Sequence, residues 1–390
     1  MAWMVREDQL DPDQRDFINI EAKRIGNIWI KGFAGSGKSV LLIHALKNTI
    51  DKEPNAKIAV VVYTHSLIDL FRTGMNELGL PRTIKVMTYI QFVDKETANF
   101  DYIFCDEVQD LPARALNEMR LRSKKIIVAG DSNQSIYDVD PRWNDPVVNP
   151  NDIGKIIEAR AFSLNMIHRM TRSIINAVQK VLPNMDIWGA KRDLTKVDVE
   201  IRLGKASDES EEVKYIYKEA LKGANIRQSS VILLPNNNLI IKFANLLLIS
   251  NDKPTWSEVK NQWGKPDYGN LNNHLRRNGI KIQFIGSSYG SLRDAEVNNE
   301  AILMTYHSSK GLDFDNVFLP FLNNNLFLHP SNGETLFMVA MTRSRRNLYL
   351  TYTNLLHSIV NKFKDQCTEI SISEILNNTS INRSTNNFDF

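Results

Sequence analysis

The stretch Gly32-Phe-Ala-Gly-Ser-Gly-Lys38-Ser39 constrains this chain more than any other. It fits the pattern G-x-x-x-x-G-K-[ST], follows an apolar run at 27–33 and opens a helical pattern at 38–48. Strand, glycine loop and helix in that order make a phosphate cradle. Glycines let the backbone curl until its N–H groups converge, and the helix N-terminus adds partial positive charge. Gly35, Ser36, Gly37, Lys38 and Ser39 would line the cradle. Lys38 would neutralise the β- and γ-phosphates of a nucleoside triphosphate, and Ser39 would hold Mg²⁺. A chance glycine loop would not come with both flanks.

Around this loop, short apolar runs alternate with helical patterns. Strands are expected at 27–33, 57–63, 83–87, 101–105 and 125–129, with helices at 38–48 and 66–78. Runs with so few polar positions suit a buried parallel sheet, so 1–140 reads as a doubly wound α/β domain. The loop 138–152, rich in Pro, Asp and Asn, suggests a linker, placed at 141–160. A second α/β domain is expected over 161–376. Its helices fall at 171–181, 209–221, 238–249 and 334–340, and its strands at 199–203, 231–234, 281–285, 301–305, 316–320 and 347–353. The stretch 377–390, rich in Asn, Ser and Thr, reads as a flexible tail. No internal repeat is present.

Length and composition agree with this division: 390 residues suit two domains. With 43% hydrophobic and 24% charged residues the chain is of globular type, and 18 glycines and 13 prolines exclude collagen-like sequence. Two distant cysteines, Cys105 and Cys367, build neither a disulfide framework nor a zinc knuckle, which points to a reducing cytoplasm. The opening residues lack an apolar core of signal-peptide length, and the apolar runs at 58–63 and 245–249 are too short to cross a bilayer, so no membrane role is expected. The formal charge of +3, from 48 basic and 45 acidic residues, means that any nucleic-acid binding uses a local groove rather than a basic tail.

The second part of a triphosphate site is a metal-binding acid at the end of another strand, and Asp101-Tyr-Ile-Phe-Cys-Asp106-Glu107 supplies it. Asp106 leaves an apolar strand where Mg²⁺ needs a carboxylate. Glu107 beside it can orient and deprotonate an attacking water. Read alone, the same residues are also a strand ending in a charged turn. The third strand end, Ala129-Gly-Asp-Ser-Asn-Gln134, would let Gln134 sense the γ-phosphate, though Gly-Asp-Ser-Asn is equally a good turn.

Taken in order, these motifs resemble the UvrD/Rep/PcrA-like group of superfamily 1 DNA helicases, over residues 8–353. That resemblance implies two RecA-like P-loop NTPase domains, each a mostly parallel sheet flanked by helices, with an ATP site in the cleft between them. Leu10-Asp-Pro-Asp-Gln14 looks like the Q motif, which implies that Gln14 reads adenine. Val61-Val-Tyr63-Thr64-His65 and Met87-Thr88-Tyr89 resemble motifs Ia and Ib, implying nucleic-acid contacts at Tyr63, Thr64 and Thr88. Asp106-Glu107-Val-Gln109-Asp110 is similar to motif II, and Gly130-Asp-Ser-Asn-Gln134-Ser-Ile-Tyr137 to motif III. In the second domain, Leu164-Asn-Met-Ile-His168-Arg169 resembles motif IV, with Arg169 on the γ-phosphate and His168 where an adenine-stacking Tyr is common. Leu303-Met-Thr305-Tyr-His307-Ser-Ser-Lys-Gly311-Leu-Asp313 is close to motif V. There Thr305 and His307 are implied at the nucleic acid, Gly311 at the γ-phosphate and Asp313 near the ribose. Val339-Ala-Met-Thr-Arg343 is close to motif VI and implies Arg343 as an arginine finger.

The sequence departs from that family in several places. The gap 90–100 is too short for an accessory domain, and 172–302 leaves only a small insert, 251–271. Its Trp256, Trp263 and Tyr268 read either as a packed surface loop or as a remnant contact surface. Val139 replaces a base-stacking Trp, for which Trp143 either compensates or serves as core. Val40 replaces an adenine-stacking Arg. The pairs Lys23-Arg24, Lys124-Lys125 and Arg345-Arg346 read as solvated surface, and Arg276-Arg277 as that or as a backbone contact. His44 and Cys105 read as packed core. The expected activity is an ATP- and Mg²⁺-dependent translocase or helicase on single-stranded DNA or DNA ends, moving 3′ to 5′, with RNA open. The alternative is a nucleotide-dependent sensor or motor subunit, as in a phage-defence complex, in which a protein partner replaces the missing domains. A small-metabolite kinase would leave motifs IV to VI unexplained.

Overall fold

A computed structural model of the chain describes residues 3–131, 135, 137–140, 142–168, 170–183, 191–192, 197–330 and 332–377. The apolar runs of the first third become the strands β1 (Asn27–Gly32), β2 (Ile58–Val62), β3 (Lys85–Thr88), β4 (Phe100–Cys105) and β5 (Ser123–Gly130). A sixth, β6 (Ala159–Leu164), completes a sheet of order β3-β2-β4-β5-β1-β6 in which every pairing is parallel. The helices are α1 (Pro12–Asn19), α2 (Lys38–Lys52), α3 (His65–Glu77), α4 (Tyr89–Lys95), α5 (Ala113–Leu121) and the short α6 (Ile153–Ile156). Every residue of β2 is buried, which is why it reads as an unbroken β-branched run.

The boundary falls later than the sequence suggests. The chain forms two compact units that change over at Met170 and Thr171. Residues 141–160 are therefore no linker, and residues 161–170 belong to the first unit. β6 pairs with β1 along its whole length, from Asn27 opposite Ala159 to Gly32 opposite Leu164. It escapes a reading based on apolar runs because it is a half-buried edge strand, Ala-Arg-Ala-Phe-Ser-Leu. The polar loop before it is pinned to the same unit. The buried Asp140 accepts the Tyr89 hydroxyl at 2.5 Å and the backbone N–H groups of Arg142 and Trp143 at 2.8 Å. Val148 is buried beyond it, its N–H bonded to Leu111 O. A two-residue parallel pair, β7 (Met166–Ile167) with β8 (Lys191–Arg192), closes this unit.

The second unit holds α7 (Arg172–Val181) and a seven-stranded sheet. Its strands are β9 (Glu200–Ala206), β10 (Ser230–Leu234), β11 (Ile282–Phe284), β12 (Ala301–Thr305), β13 (Phe314–Leu319), β14 (Ser344–Thr353) and β15 (Thr368–Ser371). They lie in the order β11-β12-β10-β13-β14-β9-β15, again all parallel. The crossovers use α8 (Glu209–Asn225), α9 (Asn237–Ile249), α10 (Tyr268–Arg277), α11 (Leu292–Val297) and α12 (Gly333–Met341). Two aromatics of the insert are core. Trp256 is buried, with its indole N–H on Asn270 Oδ1 at 2.8 Å, and the buried Tyr268 stacks on Phe284 at 4.2 Å. Trp263 is 72% exposed. The expected tail lies outside the described residues beyond position 377. Among the described residues no helix is long and apolar enough to cross a membrane.

A carboxyl stands inside this second core. Glu212 of α8 is fully buried; its Oε1 accepts from Thr351 Oγ1 and Phe321 N, each at 2.7 Å, while Oε2 has no hydrogen-bond partner among the described residues. Burial pushes its carboxyl up to about 7, from an ordinary 4.5. Between these two values the folded chain keeps a proton that the unfolded chain loses, so stability falls as pH rises through that window, by roughly 3 kcal/mol at most. Thermal melts from pH 5 to 8 are expected to show Glu212→Gln gaining on the native chain as pH rises.

Candidate nucleotide site

The loop between β1 and α2 takes the shape its glycines permit. Gly35 and Gly37 sit in the left-handed region, at φ 75° and 85°, and Gly37 caps α2. A Cβ on Gly37 would lie 2.3 Å from Gln14 Nε2. The loop is braced from outside by the first turn of α1. There Asp11 and Gln14 form a capping box, and Gln14 Nε2 donates to Ser36 O at 3.0 Å. His168 joins the same brace, its Nε2 2.5 Å from Asp11 Oδ2 and its backbone N–H on Gly35 O at 2.8 Å. Lys38 is buried and folded back, Nζ donating to Gly32 O and Phe33 O at 2.9 Å each. Loop carbonyls thus occupy the ammonium where phosphate oxygens are the natural competitor.

Opposite the loop stands the end of β4. Ser39 Oγ donates to Asp106 Oδ2 at 2.5 Å, which sets a hydroxyl and a carboxylate side by side. These hard oxygen donors suit Mg²⁺, an ion that takes one or two protein ligands and completes its shell with water and phosphate. Among the described residues no group of three or more His, Cys, Asp or Glu side chains could hold a metal unaided. Burial, with the charge of Glu107 beside it, raises the Asp106 carboxyl above the ordinary range; Ser39, Lys38 and the Glu107 N–H pull the other way. Glu107 itself is buried in a left-handed conformation, φ 56°.

What fixes Glu107 is Gln109, to which the sequence reading gave no role. Its side chain is fully buried, donates from Nε2 to Glu107 Oε2 at 2.5 Å and accepts the Asp131 N–H at 3.1 Å. Gly130 makes room for it, since a Cβ there would lie 2.4 Å from Gln109 Oε1. The available signal was the pairing of Gln109 with a glycine at the end of the neighbouring strand. Gln134 and Arg169 lie outside the described residues. Val40 is a buried apolar residue of α2, and His44 is packed, its Nε2 2.8 Å from Val5 O.

The residues expected at nucleic acid have structural duties too. Tyr63 is buried in a stack between Tyr89 and Tyr137, with ring centroids 5.1 and 5.0 Å away. Thr64 and Thr88 cap α3 and α4. Trp143 sits edge-on to Tyr89 under the Arg114 guanidinium. In the second unit, Thr305 ends β12 and its Oγ1 meets Ser308 Oγ at 3.0 Å. His307 is half-buried, and burial, then Lys310, lowers its pKa. Gly311 is left-handed at φ 78°, and Asp313 O accepts from Arg345 Nη2 at 3.0 Å. Arg343 is 1% exposed; its Nε, Nη1 and Nη2 donate to Val339 O, Leu312 O and Thr342 Oγ1 at 2.8, 3.2 and 3.1 Å.

Two families match the chain, each over part of it. The viral superfamily 1 RNA helicase core domain matches residues 28–147, and the UvrD-like helicase C-terminal domain matches residues 264–355. The first takes in the glycine loop with Asp106 and Glu107, the second the segments around Gly311 and Arg343. Both models describe superfamily 1 helicase domains, and each takes in part of the site described above. Helicases of such families hydrolyse a nucleoside triphosphate with a divalent metal and bind nucleic acid. No curated protein matches the chain. Among solved structures it is similar to the PRRSV helicase (TM-score 0.42, 14% identity, 84% of this chain and 52% of that one). It is likewise similar to arterivirus nonstructural protein 10, a helicase (TM-score 0.41, 14% identity, 89% and 64%). The chain spans about half of the first and less than two thirds of the second, and scores this low add nothing to the architecture described above.

The glycine loop has an internal control. Gly37 and Gly264 share a left-handed backbone, at φ 85° and 72°, but a Cβ on Gly264 meets open space. Either alanine costs about 1–2 kcal/mol of backbone strain. Gly37→Ala is expected also to weaken binding of a fluorescent ATP analogue at least ten-fold, whereas Gly264→Ala leaves it unchanged. Equal loss, or none, in both variants would place the nucleotide elsewhere.

Proposed function

We propose that this chain is an ATP-driven motor or helicase that moves along single-stranded nucleic acid. The observation that carries the proposal is the 2.5 Å contact of Ser39 Oγ with Asp106 Oδ2 beside a glycine cradle, with Glu107 clamped next to it. In this reading Lys38 draws charge from the γ-phosphate, and Ser39 and Asp106 hold Mg²⁺, which when bound neutralises phosphate oxygens. Glu107 takes the proton of a water as its oxygen bonds to the γ-phosphorus and ADP leaves. Gln109 positions Glu107. Gln14 and His168 lie on the brace of the loop and would meet the base. Gly311 and Asp313 would serve the nucleotide, and Gln134, Arg169 and Arg343 would answer to its γ-phosphate. Tyr63, Thr64, Thr88, Thr305 and His307 would meet the strand.

The order of the motifs supports DNA and 3′-to-5′ movement, as in UvrD-like helicases. The match of the first unit to a viral RNA helicase core supports RNA as the track. A second reading, a sensor subunit that works with a protein partner and does not unwind alone, is favoured by Val139. This residue is 43% exposed where a base-stacking Trp is expected, and Trp143 is occupied against Tyr89. ATP turnover measured with single-stranded DNA, single-stranded RNA and forked duplex at fixed salt tests all three readings. Stimulation by one single strand together with unwinding supports the helicase. Stimulation without unwinding supports the sensor, and no response to any strand removes both.

Substitutions separate binding from chemistry. Lys38→Ala is expected to abolish both ATP binding and turnover. Glu107→Gln should keep binding and lose about 10²–10⁴-fold in kcat. Gln109→Ala should lower kcat with little change in ATP affinity and cost about 1–3 kcal/mol in a denaturant melt, because it strands the Asp131 N–H. Full turnover in Glu107→Gln would show that another group accepts the proton.

A further inference from the structure

Between α9 and α10 the chain makes a reversal that the nucleotide site does not use. Trp256 within it and Tyr268 at the start of α10 are buried, but Trp263 stands at the tip, 72% exposed. The tip is not loose. Asn261 N donates to Lys265 O at 2.8 Å and Gly264 N to Asn261 O at 2.9 Å. Asn261 Oδ1 accepts the N–H groups of Trp263 and Lys265 at 3.0 and 3.2 Å, and Asn261 Nδ2 reaches down to Tyr289 Oη at 3.2 Å. Lys260 pairs with Pro266 across the reversal, and Asp267 N bonds Val259 O at 2.7 Å. Tyr289 in turn packs edge-on against the buried Tyr268. A stem rooted in the core thus holds an indole out in water.

The charges around it are as telling. Lys253, Lys260 and Lys265 are exposed, and none has an ion pair among the described residues. Elsewhere one member of several basic pairs is ion-paired: Arg24 on Glu21 and Lys124 on Asp101 at 2.8 Å, Arg346 on Asp315 at 3.2 Å. Lys260 and Lys265 flank the tip directly, while Asp252 and Glu258 lie further back along the chain and Asp267 is turned to cap α10. Lysine is depleted at protein interfaces. Unpaired lysines around an exposed aromatic suit a polyanion with flat faces.

We propose that Trp263 is a stacking platform for one base of single-stranded nucleic acid, with Lys260 and Lys265 on the flanking phosphates. The proposal rests on the reading of this chain as a nucleic-acid motor. Stacking needs an unpaired base, so a blunt duplex is not the ligand, and every base offers a π-face, so the platform is indifferent to sequence.

Fluorescence anisotropy of the full chain with labelled oligo-dT and oligo-U tests it. Trp263→Ala should weaken binding about 5- to 100-fold with an unchanged melting temperature, and Trp263→Phe should recover part of the loss. The double variant Lys260→Gln, Lys265→Gln should lower the slope of log affinity against log salt by about 1.4. Oligonucleotide should quench tryptophan emission in the native chain, and less so in Trp263→Phe. If the native chain's ATPase responds to an oligonucleotide that Trp263→Ala binds equally well, the platform is overturned and the motor reading stands. A Trp263→Ala variant that loses self-association or capture of a protein, with oligonucleotide affinity intact, overturns it in the same way. If the native chain binds no oligonucleotide, both readings fall together.

Discussion

The first unit depends on a carboxylate taken out of water. Asp106 is 1% exposed at the end of an apolar strand, beside a second buried acid. Burying two such groups costs several kcal/mol unless hydrogen bonds or cations offset it. What offsets it here is Ser39, Lys38 and the Glu107 N–H, and sheet order determines that these meet. β5 lies between β1 and β4, so the glycine loop and the acid issue from strands two places apart, roughly 10 Å. That spacing leaves room between them for the first turn of α2. Were β1 and β4 direct neighbours, Ser39 would not have to bridge and the acid would face the loop backbone.

That arrangement was legible because each part is a local pattern with its own physical cause. An unbroken apolar run marks a strand buried on both faces, and β2, β4 and β12 were placed within a residue or two on that basis. The glycine loop carries its conformation in its composition. What could not be read were elements whose stability comes from elsewhere. β6 is half exposed and held by β1, so its residues alternate weakly. The loop at 138–152 looks like a linker until Asp140 is seen to accept a hydroxyl from Tyr89, fifty-one positions away in the chain. Gln109 belongs to a motif, yet its role is visible only with Gly130 beside it, because the space it fills is a missing side chain on another strand. At strand ends one residue type serves two purposes. Thr88 and Thr64 cap helices through the same hydroxyl that a phosphate would use, and sequence alone does not divide that hydroxyl between them.

The second unit shows how a distant arginine is tied to a glycine turn. Arg343 does not reach outward from its helix end as a lone cation. Its nitrogens bind the carbonyl oxygens of Val339 and Leu312 and the hydroxyl of Thr342, so the turn after Gly311 and the end of α12 are a single hydrogen-bonded piece. Arg345 repeats the link at Asp313 O. A guanidinium has five donors in a fixed fork, and those bound to carbonyls hold the plane of the group. Two of these bonds go to its own helix end and one to Leu312 O, so α12 and the turn fix the group's plane jointly. Gly311 opens that turn in the left-handed region, φ 78°, where a residue with a Cβ would be strained.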